Sequence, residues 1–157
     1  MKTHGTQIVK FSDAVVLGFH ALLRLADKNC EAAQLQGIAD DLDVSGAHLS
    51  KVMQRLRKVG LVEATRGPTG GYRLVKNPDE VSLEAIFTAI EGPIDIVTCL
   101  LGHSTCQDTR CGLGKHIGRV NKQLQEYLAS TTLGDLLRKE QAPPRKKASQ
   151  DAERKKR

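Results

Sequence analysis

Three of the four cysteines in this chain of 157 residues are crowded into one short segment. Cys99, Cys106 and Cys111 are separated by gaps of six and four residues. Thiolates gathered this closely are typical ligands of a metal centre, and iron–sulfur clusters are held by such thiolates. Three cysteines supply one ligand fewer than the usual four. A weaker or exchangeable fourth ligand would leave a cluster open to oxygen, nitric oxide or cluster loss, as a sensor requires.

The same segment is compatible with other chemistry. The three cysteines and a histidine could hold a structural zinc ion, and metal-free thiols could act as a redox switch. Candidates for a fourth metal ligand are Asp13, His103 and His116. Asp13 has an alternative role, because an aspartate in the first turn of a helix stabilises that helix by about 0.3–1 kcal/mol without touching metal.

Composition narrows the class of protein. No apolar run approaches about 18 residues, so we expect no membrane span, and the first residues lack the apolar stretch of a secretory signal. We therefore expect a cytoplasmic protein whose cysteines are thiols or metal ligands before they are disulfides. We do not expect the protein to be an enzyme. The sequence lacks a nucleophile elbow, a deaminase-like spacing of Glu, His and Cys, and a Gly-rich phosphate loop after a strand.

Positive charge is concentrated in one internal segment. The formal net charge is +6, and residues 44–77 contain seven basic residues and one acidic residue, whereas residues 1–43 and 78–137 are net negative. A basic island of this kind is typical of a protein with a phosphate-rich partner such as DNA. Nine of the last 20 residues are also basic. We expect residues 139–157 to form a disordered basic tail.

The pattern of apolar residues predicts a mainly α-helical fold with a small β-hairpin. Ser12 can cap a helix that begins at Asp13, and Gly60 can end a helix over about 47–59. Further helices are expected over 35–42 and after Ser82, and strands over 61–65 and 72–75, on either side of the loop RGPTGG.

A long helix is predicted over about 112–130. Its apolar residues recur at steps of three and four, which gives one continuous seam. Because little core remains to be covered, we interpret this helix as a dimerisation helix. Packing of the seam within its own chain is the alternative.

The region of about 35–77 therefore predicts a winged helix-turn-helix. The N-terminal end of a recognition helix enters the major groove and needs small and polar side chains, while a wing can approach the minor groove and the phosphates. A helical protein-interaction module has the same topology but does not explain the basic bias. The predicted DNA-binding residues of the recognition helix are Ser45, Ala47, His48, Ser50, Lys51 and Arg55. Those of the wing are Arg66, Gly67, Pro68, Thr69, Gly70 and Gly71.

The chain over about residues 8–138 resembles the Rrf2 family of bacterial winged-helix transcription regulators. The resemblance is carried by AHLSKVMQRLRKVGLVEATRGPTGGYRL, then SLEAIFTAIEGP, the three cysteines and TLGDLL. It implies one regulator domain over 1–138 that forms a homodimer on a near-palindromic operator in double-stranded DNA. It also implies an iron–sulfur cluster, 4Fe–4S or 2Fe–2S, in a cysteine loop over 99–111.

The opening KFSDAVVLGFHALLRLA is more similar to the NsrR branch of this family than to the IscR branch. In NsrR-like members the resemblance implies a carboxylate ligand from the first helix of the partner subunit, and KFSD puts Asp13 at that place. His116 is the second candidate. The resulting hypothesis is a repressor whose DNA affinity is controlled by a cluster sensing nitric oxide, redox state or iron–sulfur status. The alternative is a zinc-stabilised or thiol-switch winged-helix protein without a cluster.

Overall fold

The computed structural model describes residues 11–27, 32–67, 70–95 and 112–141. Within these ranges no helix is both long enough and apolar enough to cross a bilayer. The elements are α1 (Asp13–Asp27), α2 (Leu35–Asp41), α3 (Gly46–Lys58), β1 (Val62–Thr65), β2 (Gly71–Leu74), a 3-10 turn (Pro78–Glu80), α4 (Leu83–Glu91), α5 (Gly112–Ser130) and α6 (Leu133–Gln141). The predicted architecture, helical with one hairpin, is confirmed.

Three helices begin at serine caps, of which Ser12 and Ser82 were predicted and Ser45 was not. The hydroxyl oxygens of Ser12, Ser45 and Ser82 each accept a hydrogen bond from the amide three residues further on, at 3.1–3.2 Å. These bonds satisfy amides that have no partner inside the helix. Gly60 follows α3 with a φ of +73°, a left-handed conformation that favours glycine. The sequence therefore predicted the positions of α1, α3 and α4 to within about a residue.

The central helix of the core is α1, which packs against α3, α4 and α6. Its close approach to α4 requires Gly18, because a Cβ added there would lie 2.3 Å from Cδ1 of Ile90. Burial of large aliphatic side chains is the main stabilising contribution of this core. The largest fully buried side chains include Leu22, Leu25, Ile38, Leu49, Met53, Leu56, Ile86 and Leu133.

The hairpin is anchored to the body by a bridge that the sequence did not predict. Strands β1 and β2 are antiparallel, and Ala33, which precedes α2, pairs with Tyr72 of β2 through two backbone hydrogen bonds of 2.8 Å. Strand β1 is one residue shorter than predicted, since Leu61 lies outside it, and β2 has the predicted length but begins and ends one residue earlier, so that Val75 lies outside it. The wing is therefore positioned relative to the helix-turn-helix by main-chain bonds as well as by packing.

A last helix, α6, was also not predicted. It begins with a reciprocal cap, in which Thr132 Oγ1 accepts from the amide of Asp135 at 3.1 Å and the amide of Thr132 donates to Asp135 Oδ2 at 2.9 Å. Hydrogen bonds donated to its carboxylate by the Thr132 amide, the Arg138 guanidinium and the Thr132 hydroxyl lower the pKa of Asp135 to about 2. The helix continues to Gln141, three residues beyond the predicted end of the regulator domain. Residues 142–157, most of the predicted tail, lie outside the described ranges.

Candidate nucleic-acid interface

Helix α3 separates a buried face from an exposed one. Leu49, Val52, Met53 and Leu56 are buried, and the basic side chains of the helix lie on the remaining surface. At its N-terminal end Ala47, His48 and Lys51 are exposed and Ser50 is half-buried. This is the arrangement that a helix needs to present small and polar groups to base edges while its other face holds it to the domain.

Two of the predicted DNA-binding residues have structural roles in α3. The hydroxyl oxygen of Ser45 caps the helix by accepting from the amide of His48 at 3.1 Å. Nη1 of Arg55 donates a hydrogen bond to the carbonyl oxygen of Ile90 at 2.7 Å, so its guanidinium reaches back to α4. The sequence pattern could not reveal this contact. An arginine that binds phosphate and one that bonds to a neighbouring helix occupy the same kind of position on a helix surface.

The wing presents a short basic loop at the end of the hairpin. Arg66 and Gly67 are exposed, and the amide of Gly70 donates to the carbonyl of Gly67 at 2.9 Å, which closes the turn. Gly67 has a φ of +124°, a conformation that side chains disfavour. Pro68 and Thr69, which were also predicted to contact DNA, lie outside the described residues.

Gly71 is required for the anchoring of this wing. We expect Gly71→Ala to lower the unfolding free energy by about 1–3 kcal/mol, because an added Cβ would lie 2.4 Å from the backbone oxygen of Ala33. The matched control is Gly37→Ala, where an added Cβ meets nothing within 4 Å. Chemical denaturation followed by circular dichroism measures both. A Gly71→Ala protein as stable as the Gly37→Ala protein would contradict this anchoring.

The candidate metal ligands are only partly described. Cys99, Cys106, Cys111 and His103 lie outside the described residues, and in the part of the chain that the structure covers no three acidic, histidine or cysteine side chains gather in a metal-binding group. Asp13 is exposed in the first turn of α1. His116 is exposed on α5. Three soft thiolates with one carboxylate or imidazole fit the chemistry of a cluster with one weaker ligand.

The surroundings of Asp13 connect it to the segment that leads to the cysteines. Its neighbour Ser12 donates a hydrogen bond from Oγ to Oε1 of Glu91 at 2.5 Å, at the end of α4. Asp13 itself lines a groove with the apolar side chains of Val16 and Leu42. Val16 is 41% exposed, so this part of α1 offers an apolar surface beside an accessible carboxylate.

Comparison with known proteins identifies a family. A family model described as the Rrf2 iron-dependent transcriptional regulator matches residues 11–139. The transcriptional regulator IscR of Aliivibrio salmonicida is 33% identical over 104 residues, which are 66% of this chain but only 61% of that protein. NsrR of Bacillus licheniformis is 34% identical over 123 residues, which are 76% of this chain and 84% of that protein.

A solved structure with the same fold is that of CymR, described as the global cysteine regulator of B. subtilis. It superposes with a TM-score of 0.72 at 30% sequence identity, over 84% of this chain and 98% of that chain.

Proposed function

The chain belongs to the Rrf2 family of DNA-binding transcription regulators, and on that premise we propose that it is a repressor controlled by an iron–sulfur cluster. The signal would be nitric oxide, redox state or iron–sulfur status, and the protein would act on chromosomal DNA in a bacterial cytoplasm. The observation that carries the proposal is the joining of three clustered cysteines, Cys99, Cys106 and Cys111, to a basic winged helix-turn-helix.

DNA recognition is proposed to use two copies of the chain on a near-palindromic operator. The two α3 helices would enter major grooves about one helical turn apart, roughly 34 Å. The surface proposed to join the copies is the first part of the α5 seam, on which Leu113 is 59% exposed and Val120 is 36% exposed, whereas Leu128 near the end of the helix is buried within its own chain. Large aliphatic side chains left at the surface along one helix favour a partner helix.

The cluster ligands are proposed to be Cys99, Cys106 and Cys111 of one subunit and Asp13 of the partner subunit. When bound, the cluster supplies a centre that reacts with oxygen or nitric oxide. The three thiolates bind tightly, while the single carboxylate of Asp13 is the weaker ligand and bridges the subunits. His116 is the second candidate for that place. A ligand shared between subunits couples the occupancy of the centre to dimer geometry.

Control of DNA binding then follows as a population shift. A dimer held by the shared centre and a dimer without it present their two α3 helices at different separations, and only one separation matches the operator. A signal shifts the equilibrium only as far as its differential affinity for the two forms allows.

A thiol-switch or zinc-stabilised regulator is the second candidate, favoured by the similarity to CymR, whose description names cysteine. Purification without air, followed by iron, sulfide and zinc analysis, separates the candidates. Iron and sulfide in a brown protein support the cluster. Zinc in a colourless protein overturns the cluster proposal in favour of a zinc-stabilised regulator, and the absence of any metal overturns it in favour of a thiol switch.

Within α3, His48 and Lys51 are expected to make different kinds of DNA contact. His48→Ala should relax preference at one operator position at a cost of about 1–3 kcal/mol, because a base-edge contact is lost. Lys51→Ala should weaken binding to every sequence and flatten the salt dependence, because a phosphate contact is lost. Titrations against an operator and its single-base variants at several salt concentrations measure both. A uniform loss for both variants would show that His48 contacts the backbone.

A further inference from the structure

The last turn of α4 is held by a side chain of the recognition helix. Nη1 of Arg55 donates to the carbonyl oxygen of Ile90 at 2.7 Å, across 35 residues of sequence. Carbonyl groups in the last turn of a helix have no partner within it and carry partial negative charge, so a guanidinium is a well-matched donor. The bond is charge-assisted and joins the middle of α3 to the end of α4.

The side chain of Ile90 fixes the same turn from the other side. Ile90 is 5% exposed and packs so closely on α1 that a Cβ on Gly18 would lie 2.3 Å from its Cδ1. The same added Cβ would lie 3.5 Å from Cγ1 of Val52 in α3. Close-packed interiors pass a displacement on to their neighbours. A shift of the end of α4 must therefore move α3, through packing and through the Arg55 bond.

The first turn of α1 meets the same turn of α4. Ser12, held by its cap to α1, donates to the carboxylate of Glu91. The next residue, Asp13, is the proposed fourth ligand, and Cys99 follows Glu91 by eight residues. Cys99 is therefore close in sequence to this turn of α4, and Asp13, which would be a ligand of the partner subunit's centre, is linked to it through the hydrogen bond between Ser12 and Glu91. The same turn contacts α3 through Arg55.

We propose that Arg55 is a positioning residue that transmits the state of the cysteine centre from the last turn of α4 to the recognition helix α3. The inference rests on the proposed function, because it assigns a route for the control described there. In this role Arg55 touches neither DNA nor the centre. It holds α3 at the orientation that the end of α4 sets.

A phosphate contact is the rival role for Arg55, and the two roles predict different losses. A phosphate contact contributes equally to DNA binding by both forms of the protein, so its removal lowers both affinities and flattens the salt dependence. A positioning contact affects the difference between the forms, so its removal changes their affinity ratio.

The test uses the full chain and three variants. Arg55→Met removes the guanidinium and keeps the aliphatic stem, while Arg55→Lys keeps the charge and can still donate to the Ile90 carbonyl. Arg57→Met is the matched control, because it removes the same charge from the same helix about 200° further around its axis. Operator affinity is measured for cluster-loaded and cluster-free protein without air, and amide hydrogen exchange is measured on the cluster-free protein.

Arg55→Met is expected to reduce the affinity ratio between the two forms by about 2- to 30-fold, whereas Arg57→Met leaves the ratio unchanged. Arg55→Lys should retain part of the ratio. In the cluster-free protein, Arg55→Met should speed amide exchange at the end of α4 and in the middle of α3, and Arg57→Met should not. A purely structural role would lower stability without selectively changing the ratio.

The inference is overturned if Arg55→Met keeps the wild-type ratio, or if it lowers both affinities equally with a flatter salt dependence. Unchanged amide exchange overturns it independently of any cluster, because the link between α4 and α3 would then not depend on Arg55. A wild-type ratio of one is a different failure, since it refutes the proposed function itself. The exchange measurement still decides in that case whether Arg55 joins the two helices.

Discussion

A protein with Cys99, Cys106 and Cys111 all replaced by serine is expected to purify without iron or sulfide and to bind its operator with one fixed affinity. Serine hydroxyls are not deprotonated near neutral pH and do not replace thiolates as cluster ligands. The elements of the helix-turn-helix and wing lie between Leu35 and Leu74, outside the cysteine segment, so the variant should remain folded and should keep sequence-independent DNA binding. Only the response to the signal should be lost.

The matched control for this variant is Cys30→Ser, which changes a cysteine 69 residues before Cys99 in the sequence. Iron and sulfide content and reporter repression in cells with and without nitric oxide are the measurements. The control should keep both the metal and the response. A triple variant that still responds as the wild type does would contradict a cysteine-based sensor.

Val120→Glu is expected to convert the protein to a monomer and to weaken operator binding by about 10²- to 10⁴-fold, because binding to the second half-site is then no longer intramolecular. Val120 lies in the middle of α5, and a carboxylate buried between two helices would be desolvated without a partner. Light scattering gives the oligomeric state, and titration with full and half operators gives the affinities.

Ala129→Glu is the control, since it adds the same charge to an exposed position on the opposite side of α5. It should leave both association and operator binding close to wild type. If Val120→Glu lowers the melting temperature but leaves the oligomeric state unchanged, the seam packs within its own chain and the proposed interface is wrong.

The parts of the fold that were predictable are those with local signals. Ser12, Ser82 and Gly60 mark helix ends through interactions with neighbouring residues, and the apolar spacing of α3 specifies its one buried stripe. The apolar spacing of α5 gives a seam on which the structure buries Leu128 and leaves Leu113 and Val120 exposed. The cap of α6 was readable in the same way, because the spacing of Thr132 and Asp135 is that of a reciprocal cap. This helix was nevertheless not predicted, because it is short and lies apart from the cysteine segment in the sequence.

The features that sequence could not predict depend on contacts between distant residues. The bridge between Ala33 and Tyr72 is made by backbone atoms and leaves no pattern of residue types. The bond from Arg55 to the Ile90 carbonyl depends on how α3 crosses α4, so the residue was assigned to DNA on charge and position alone. The cysteine centre was inferred from residue type and spacing, and its geometry stays a prediction.

Control of DNA binding by a cluster is tested most sharply by the affinity of one operator for the same preparation before and after removal of its cluster, without air and at one fixed salt concentration. Fixed salt matters because the phosphate contribution to affinity varies steeply with ionic strength. We expect a brown protein that contains iron and sulfide. Its operator affinities with and without the cluster should differ by about 5- to 150-fold, the usual range of coupling between sites. Equal affinities for the two forms, or a preparation without iron, would contradict control of DNA binding by a cluster.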